Sequence, residues 1–110
     1  MIERLVIALR TLGGSADEQL ARFPDIVAKP DELALDFDDA YLLLRQCQQL
    51  ELSAAERDAV AAVDRLLDRM TGPEHRILWT EEALRHAPEW ERVRDAARAA
   101  LRVLGYAAAT

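Results

Sequence analysis

Cysteine, glycine and proline are scarce in this chain of 110 residues, which contains one cysteine, four glycines and four prolines. Cys47 has no second cysteine with which to form an internal disulfide, and a structural zinc site would need more thiolates. So few glycines and prolines leave little material for the turns of a sheet or for a disordered tail. The fold must therefore be stabilised by an apolar core, and 110 residues are enough to bury one.

Lysine and asparagine are also rare, and positive charge is in deficit. Thirteen of the fourteen basic residues are arginine, asparagine is absent and twenty residues are alanine, a bias typical of a GC-rich bacterial genome. The formal net charge is −6. Nucleic acids and anionic membranes bind proteins through a basic face, so the composition disfavours both as partners.

Long apolar runs are missing as well. Near the N-terminus, only the segment Leu5 to Leu9 lies between charged residues, far short of a signal-peptide core or a membrane span. From this feature and the single cysteine we expect a cytoplasmic protein that is not attached to a membrane.

Helix-forming residues are abundant, since twenty alanines and seventeen leucines make up a third of the chain. Apolar residues recur at helical spacing in successive segments, and glycine or proline separates several of those segments. Ser15 with Glu18, and Ser53 with Glu56, form capping-box patterns that mark the starts of two helices. The sequence predicts an all-α fold, a compact bundle of five or six helices.

We expect this bundle to be a single domain over residues 1–110, with a frayed tail at about 107–110. The connector Asp25 to Pro30 carries Ile26 and Val27, which are predicted to pack under the bundle. At the other end of the chain, Gly105 and Tyr106 predict a Schellman motif that closes the last helix.

The most apolar stretch spans residues 31–52, and we expect its helix to begin at Asp31. At helical spacing, one stripe of this helix faces a core and consists of Leu33, Phe37, Ala40, Leu44 and Cys47. Leu35 and Leu42 point away from that stripe, so a second surface is apolar too. Either other helices cover both sides, or the second surface is open to a partner. The short link to the next helix predicts an antiparallel hairpin, Asp31 to Met70, at the centre of the bundle.

Clustered carboxylates at Asp36, Asp38 and Asp39 raise the alternative of a Mg²⁺ site. On one helix these three side chains spread over roughly 160° of the circumference, so they cannot converge on a single ion. Asp64 and Asp68 of the hairpin partner would have to complete such a site. The sequence therefore predicts no cofactor, no metal site and no catalytic residues, with a Mg²⁺-dependent nucleotide-binding or nucleotide-hydrolysing enzyme as the alternative.

Three arginines near the C-terminus, Arg94, Arg98 and Arg102, form a basic ridge at spacings of four residues. A helix-turn-helix interpretation would use them to bind DNA, but Ala87 and Pro88 occupy the turn in which glycine is usual. Acidic residues also line the region and would repel phosphates. We therefore interpret the ridge as forming intramolecular contacts.

The acidic charge is concentrated between residues 15 and 58, where eleven acids face four basic residues for a balance of −7. We therefore expect a non-enzymatic acidic protein-binding module, such as a bacterial immunity-type or antitoxin-type inhibitor or an adaptor, with a protein partner that is basic. The predicted partner-binding residues are Leu35, Asp36, Asp38, Asp39, Tyr41 and Leu42. A structural, self-associating helical domain that forms a symmetric homodimer is a further alternative.

Overall fold

The computed structural model describes residues 2–46 and 52–106 of the chain. Within those ranges it contains six α-helices and one 3₁₀ helix, and no strand. In chain order the helices are α1 (Ile2–Gly13), α2 (Ala16–Arg22), α3 (Lys29–Gln46), α4 (Ala54–Arg69), the 3₁₀ helix (Pro73–Trp79), α5 (Glu81–His86) and α6 (Pro88–Val103). The predicted all-α bundle is confirmed.

Both capping boxes form as the sequence predicts. The backbone N–H of Glu18 donates to Ser15 Oγ at 3.1 Å, and the N–H of Ser15 donates to Glu18 Oε1 at 3.0 Å. At the start of α4 the equivalent distances between Ser53 and Glu56 are 3.1 and 2.8 Å. The bond from the backbone N–H of Ser15, and then that from its hydroxyl, lower the pKa of Glu18. Local sequence alone therefore specifies where α2 and α4 begin.

The last helix ends in the predicted Schellman motif. The N–H of Tyr106 donates to the carbonyl of Leu101 at 2.8 Å, and the N–H of Gly105 donates to that of Arg102 at 3.1 Å. Gly105 has a φ of +90°, a conformation that side chains with a Cβ rarely adopt. The predicted frayed tail at 107–110 lies outside the described residues.

Helix α3 begins at Lys29, two residues before the predicted start. Pro30 fits the first turn because no intrahelical bond is required of its missing N–H. The ammonium of Lys29 donates to Asp25 Oδ1 at 3.0 Å, so the connector is tied to the helix start. The expectation that Ile26 packs under the bundle is wrong, since its side chain is 94 % exposed. Lys29 and Pro30 are buried at this point of the connector instead.

The predicted core stripe of α3 is confirmed for Leu33, Phe37 and Ala40, which are all buried. Leu44 is half-buried against the same core, and Cys47 lies outside the described residues. Helices α3 and α4 are neighbours along the chain but make little close contact with each other, so the predicted hairpin at the centre of the bundle is wrong. The most extensive packing is that of α6 against α4 and α1, followed by that of α1 against α3.

Helix α6 can pack closely on two neighbours because much of its buried surface is made of small residues. Ala97 and Ala100 are fully buried on α6, beside Trp90, Val93 and Leu101. Alanine lets helix backbones approach closely, whereas α3 buries only one narrow stripe. The bundle is consequently packed most tightly around α6, and α3 lies with one side toward solvent.

Candidate functional site

The outer side of α3 is an exposed surface that combines two leucines with three carboxylates. Leu35 is 50 % and Leu42 is 52 % exposed, and the two residues are seven positions, or about two helical turns, apart. Asp31, Asp38 and Asp39 are exposed around them. We call these five residues the open face of α3. The second apolar surface predicted for this helix is therefore open and not covered by other described helices.

Asp36 does not belong to the open face, although it was predicted with that group. It lies roughly 100° around the helix from Leu35 and is half-buried. There it lines a pocket of about 220 Å³ with Arg4 and Ile7 of α1 and with Arg22. Asp36 therefore lies toward α1 and not among the carboxylates of the open face.

Tyr41 also lies away from the open face and is half-buried. Its ring stacks on Phe37 with centroids 5.5 Å apart and an interplanar angle of 15°. The guanidinium of Arg45 lies 5.8 Å from the centre of the same ring. The Tyr41 ring thus packs mainly against residues of its own helix, and Tyr41 lies at the border of the open face and not within it.

A groove runs along one border of the open face and has a volume of about 580 Å³. One wall belongs to α3, and the other to the segment that joins α4 to the 3₁₀ helix and to that helix itself. The lining residues are Asp31, Ala34, Leu35, Asp38, Thr71, Gly72, Arg76 and Trp79. Of the predicted partner-binding residues, Leu35 and Asp38 therefore line this groove.

Trp79 is the aromatic residue that lines this groove. Its indole Nε1–H donates to the carbonyl of Met70 at 2.7 Å. Its ring meets Trp90 edge to face, with centroids 5.4 Å apart and an interplanar angle of 84°. These two contacts fix the half-buried ring in place. The spacing of the two tryptophans around Pro88 is a signal for such a pair, but it does not reveal that Trp79 lines a groove with α3.

Two aspartates between α3 and α4, Asp38 and Asp64, have a raised pKa. Partial burial raises the pKa of Asp38, and the charges of Asp64, Asp68 and Asp39 raise it further. The pKa of Asp64 is also raised, first by burial and then by Asp68. Arg45 and Arg65 act in the opposite direction on Asp64, so positive charge partly balances these carboxylates between α3 and the second half of α4.

This accumulation of carboxylates does not provide a metal-binding set. In the two described ranges, no three histidine, cysteine, aspartate or glutamate side chains are grouped so that they could hold a metal ion. The Mg²⁺ alternative that joins Asp38 with Asp64 and Asp68 thus has no assembled ligand set in the part of the chain that the structure describes.

The basic ridge of α6 is used largely within the protein. Arg98 Nε donates to the carbonyl of Gly13 at 2.6 Å, which satisfies the C-terminal end of α1. Arg94 is buried, and its guanidinium binds Gln19 and the backbone carbonyl of Leu84. The structure thus supports the intramolecular interpretation for Arg94 and Arg98.

Across residues 2–46 and 52–106, no helix has the length and apolarity that crossing a bilayer requires. No family model matches the chain, and searches of curated proteins and of solved structures gave no significant match.

Proposed function

We propose that this protein is a non-enzymatic, cytoplasmic protein-binding module that docks through the open face of α3 on a basic partner. The observation that carries the proposal is the pair of half-exposed leucines, Leu35 and Leu42, on one side of a well-formed helix. Helices that recognise partners commonly present apolar anchors at positions i and i+7. A bacterial inhibitor of a basic toxin, or an adaptor, would use such a surface.

The carboxylates around the leucines support a basic partner. Asp31, Asp38 and Asp39 are exposed on the open face, and the whole chain carries a net charge of −6. Complementary charge accelerates association and selects among partners more than it adds affinity. The leucines would then contribute most of the binding free energy, while the aspartates increase the association rate.

The same charges favour a different protein over a second copy of this chain. In a symmetric dimer built on the open face, its three carboxylates would lie against the same three carboxylates of the other copy. Like charges brought together at an interface oppose association. A heterologous basic partner avoids this repulsion, whereas the homodimer alternative does not.

The proposal can be tested by capturing partners from the native host with immobilised protein. Three baits would be compared: the wild type, the double variant Leu35→Gln with Leu42→Gln, and Val103→Gln. Val103 is 45 % exposed on α6, so it provides a control of similar exposure at a distant surface. We expect a partner that the wild type and the control retain, and that binds the double variant about thirtyfold more weakly.

The electrostatic part of the proposal is tested on the purified pair. The association rate constant should fall by about tenfold or more when the salt concentration rises from about 50 to 500 mM, because screening removes the steering. A rate constant independent of ionic strength, or equal capture by the double variant, would contradict the proposal.

A Mg²⁺ titration separates this proposal from the enzyme alternative. An ion held by the folded state must raise the melting temperature as its concentration increases. We expect a flat response up to about 10 mM. A concentration-dependent rise that Asp38→Asn abolishes would favour the Mg²⁺-dependent alternative instead.

A further inference from the structure

The groove beside the open face specifies which kind of side chain a partner presents. We propose that it binds an arginine side chain of the partner, with the aliphatic stem along Leu35 and the guanidinium near Trp79 and the aspartates. This inference deepens the proposed function and rests on it, because the partner is the source of the arginine.

The apolar part of the groove fits the stem of a long basic side chain. Ala34, Leu35 and Trp79 line it, and because the groove is shallow and open to solvent, a side chain can lie along it while the partner's backbone stays outside. Arginine and lysine cover apolar surface with their methylene groups while the charged end stays close to water. Trp79 is fixed by its bond to Met70 and by its packing on Trp90, so little order has to be gained on binding.

The charged part of the groove fits the guanidinium. Asp31 and Asp38 lie on the same wall, and each carboxylate can accept hydrogen bonds from the N–H groups of arginine. Asp64 and Asp68 lie close enough to affect Asp38, and they add negative potential. A planar guanidinium is also more weakly hydrated than an ammonium and stacks on aromatic rings, so arginine is favoured over lysine.

Arg76 is the one cationic side chain among the residues that line this groove. Its charge opposes a second guanidinium and therefore reduces the affinity. This opposition leads to an unusual expectation, since Arg76→Gln should strengthen the binding of an arginine peptide. A residue with a merely structural role would not give a tighter complex when it is replaced.

The test uses the full chain and a blocked tripeptide, acetyl-Ala-Arg-Ala-amide, with the neutral citrulline peptide as its control. Binding is followed by NMR, through the backbone amides of residues 31–38 and 71–76 and the indole N–H of Trp79. We expect saturable shifts with the arginine peptide and at least about fivefold weaker binding of the citrulline peptide. Absent shifts, or equal affinity for both peptides, would overturn the arginine proposal.

Variants of the groove sharpen the result. Asp38→Asn should lower the affinity for the arginine peptide by about three- to tenfold, and Arg76→Gln should raise that affinity by about threefold. Asp58→Asn, an exposed change near the start of α4, serves as the control and should leave the affinity unchanged. Weakening by Asp58→Asn equal to that by Asp38→Asn would show that the peptide senses only net charge, and would overturn the proposal.

Leu35 and Leu42 allow this inference to fail separately from the proposed function. They are almost equally exposed, but only Leu35 lines the groove. Leu35→Gln should weaken the binding of both the peptide and the natural partner, whereas Leu42→Gln should weaken the binding of the partner alone. If partner capture depends on both leucines while the arginine peptide never binds, the docking surface stands and the arginine proposal is wrong.

Discussion

Helices α6 and α3 use their charged residues in opposite ways. On α6, the guanidinium of Arg94 is buried, and Arg98 donates to the end of α1. On α3, Asp31, Asp38 and Asp39 remain exposed beside two half-exposed leucines. The charges of α6 are largely satisfied within the fold, and those of the open face are available to another molecule.

Arg94 shows how far the internal use of charge extends. Its Nε donates to Gln19 Oε1 at 3.2 Å, and Gln19 Nε2 in turn donates to the carbonyl of Leu12 at 2.8 Å. Arg94 Nη2 donates to the carbonyl of Leu84. Four helices thus meet at one buried polar network, in which every group has a partner.

This difference between α6 and α3 indicates that a binding surface should be sought where polar and apolar side chains are exposed and form few contacts within the fold. Buried polar groups are costly unless they are hydrogen-bonded, so a satisfied network such as that of Arg94 is explained by the fold. Two exposed leucines among carboxylates on an otherwise regular helix have no such explanation.

The largest expected effect contrasts the two sides of α3. Leu33→Ala removes a buried side chain from the core and should lower the free energy of unfolding by about 3 kcal/mol. Leu35→Ala should change it by no more than about 0.5 kcal/mol, because Leu35 is half-exposed. Urea denaturation followed by circular dichroism measures both values. Similar losses for the two variants would mean that the open face is buried in solution.

The next effect contrasts two arginines of α6. Arg94→Ala leaves Gln19 Oε1 and the Leu84 carbonyl without their donor, and should cost about 2 kcal/mol of unfolding free energy. Arg102→Ala, at an exposed position of the same helix, should lie within about 0.5 kcal/mol of the wild type. Thermal and urea unfolding of the pair provide the measurement. Equal stability of the two variants would refute the structural role of Arg94.

The smallest effect concerns Asp38, whose pKa is raised in the folded protein. The native state then binds this proton more tightly than the unfolded state, so the ionised carboxylate destabilises the fold at neutral pH. Asp38→Asn should stabilise the protein by about 0.3 kcal/mol at pH 7, a small value because solvent screens an exposed group. The gain should shrink as the pH falls through the raised pKa, and vanish below the usual range of aspartate.

Urea titrations at about pH 7 and about pH 3 measure that dependence. Asp58→Asn is the matched control, since Asp58 lies near the start of α4, where the helix dipole favours a carboxylate. It should give no gain at either pH. A gain for Asp38→Asn that persisted at about pH 3 would show that its origin is not electrostatic.

Local signals in the sequence predicted several helix boundaries, because the atoms involved are three to five residues apart. The capping boxes at Ser15 and Ser53 and the Schellman motif at Gly105 each depend on such short-range bonds. The divergence of Leu35 from the core stripe was equally predictable, since helical periodicity fixes the relative directions of side chains.

Other features could not be obtained from local patterns. Ile26 resembles a core residue in the sequence but is exposed. The residues of this connector that are buried are Lys29 and Pro30. Arg94 resembles a surface residue but is buried, because a glutamine 75 positions away accepts its hydrogen bond. The groove joins residues 31–38 to 71–79, and no spacing within either segment predicts that contact.

The sequence by itself determined that the chain is helical, where several helices begin and end, and which side of α3 is buried. These properties follow from bonds within a turn and from a fixed period of 3.6 residues. The tertiary structure alone decided that α6 is the most extensively packed helix, that Asp36 shares a pocket with Arg4 of α1, and that Trp79 shares a groove with Asp38. Those properties depend on how separate helices pack together, which is determined by the complementarity of their whole surfaces and not by short segments of sequence.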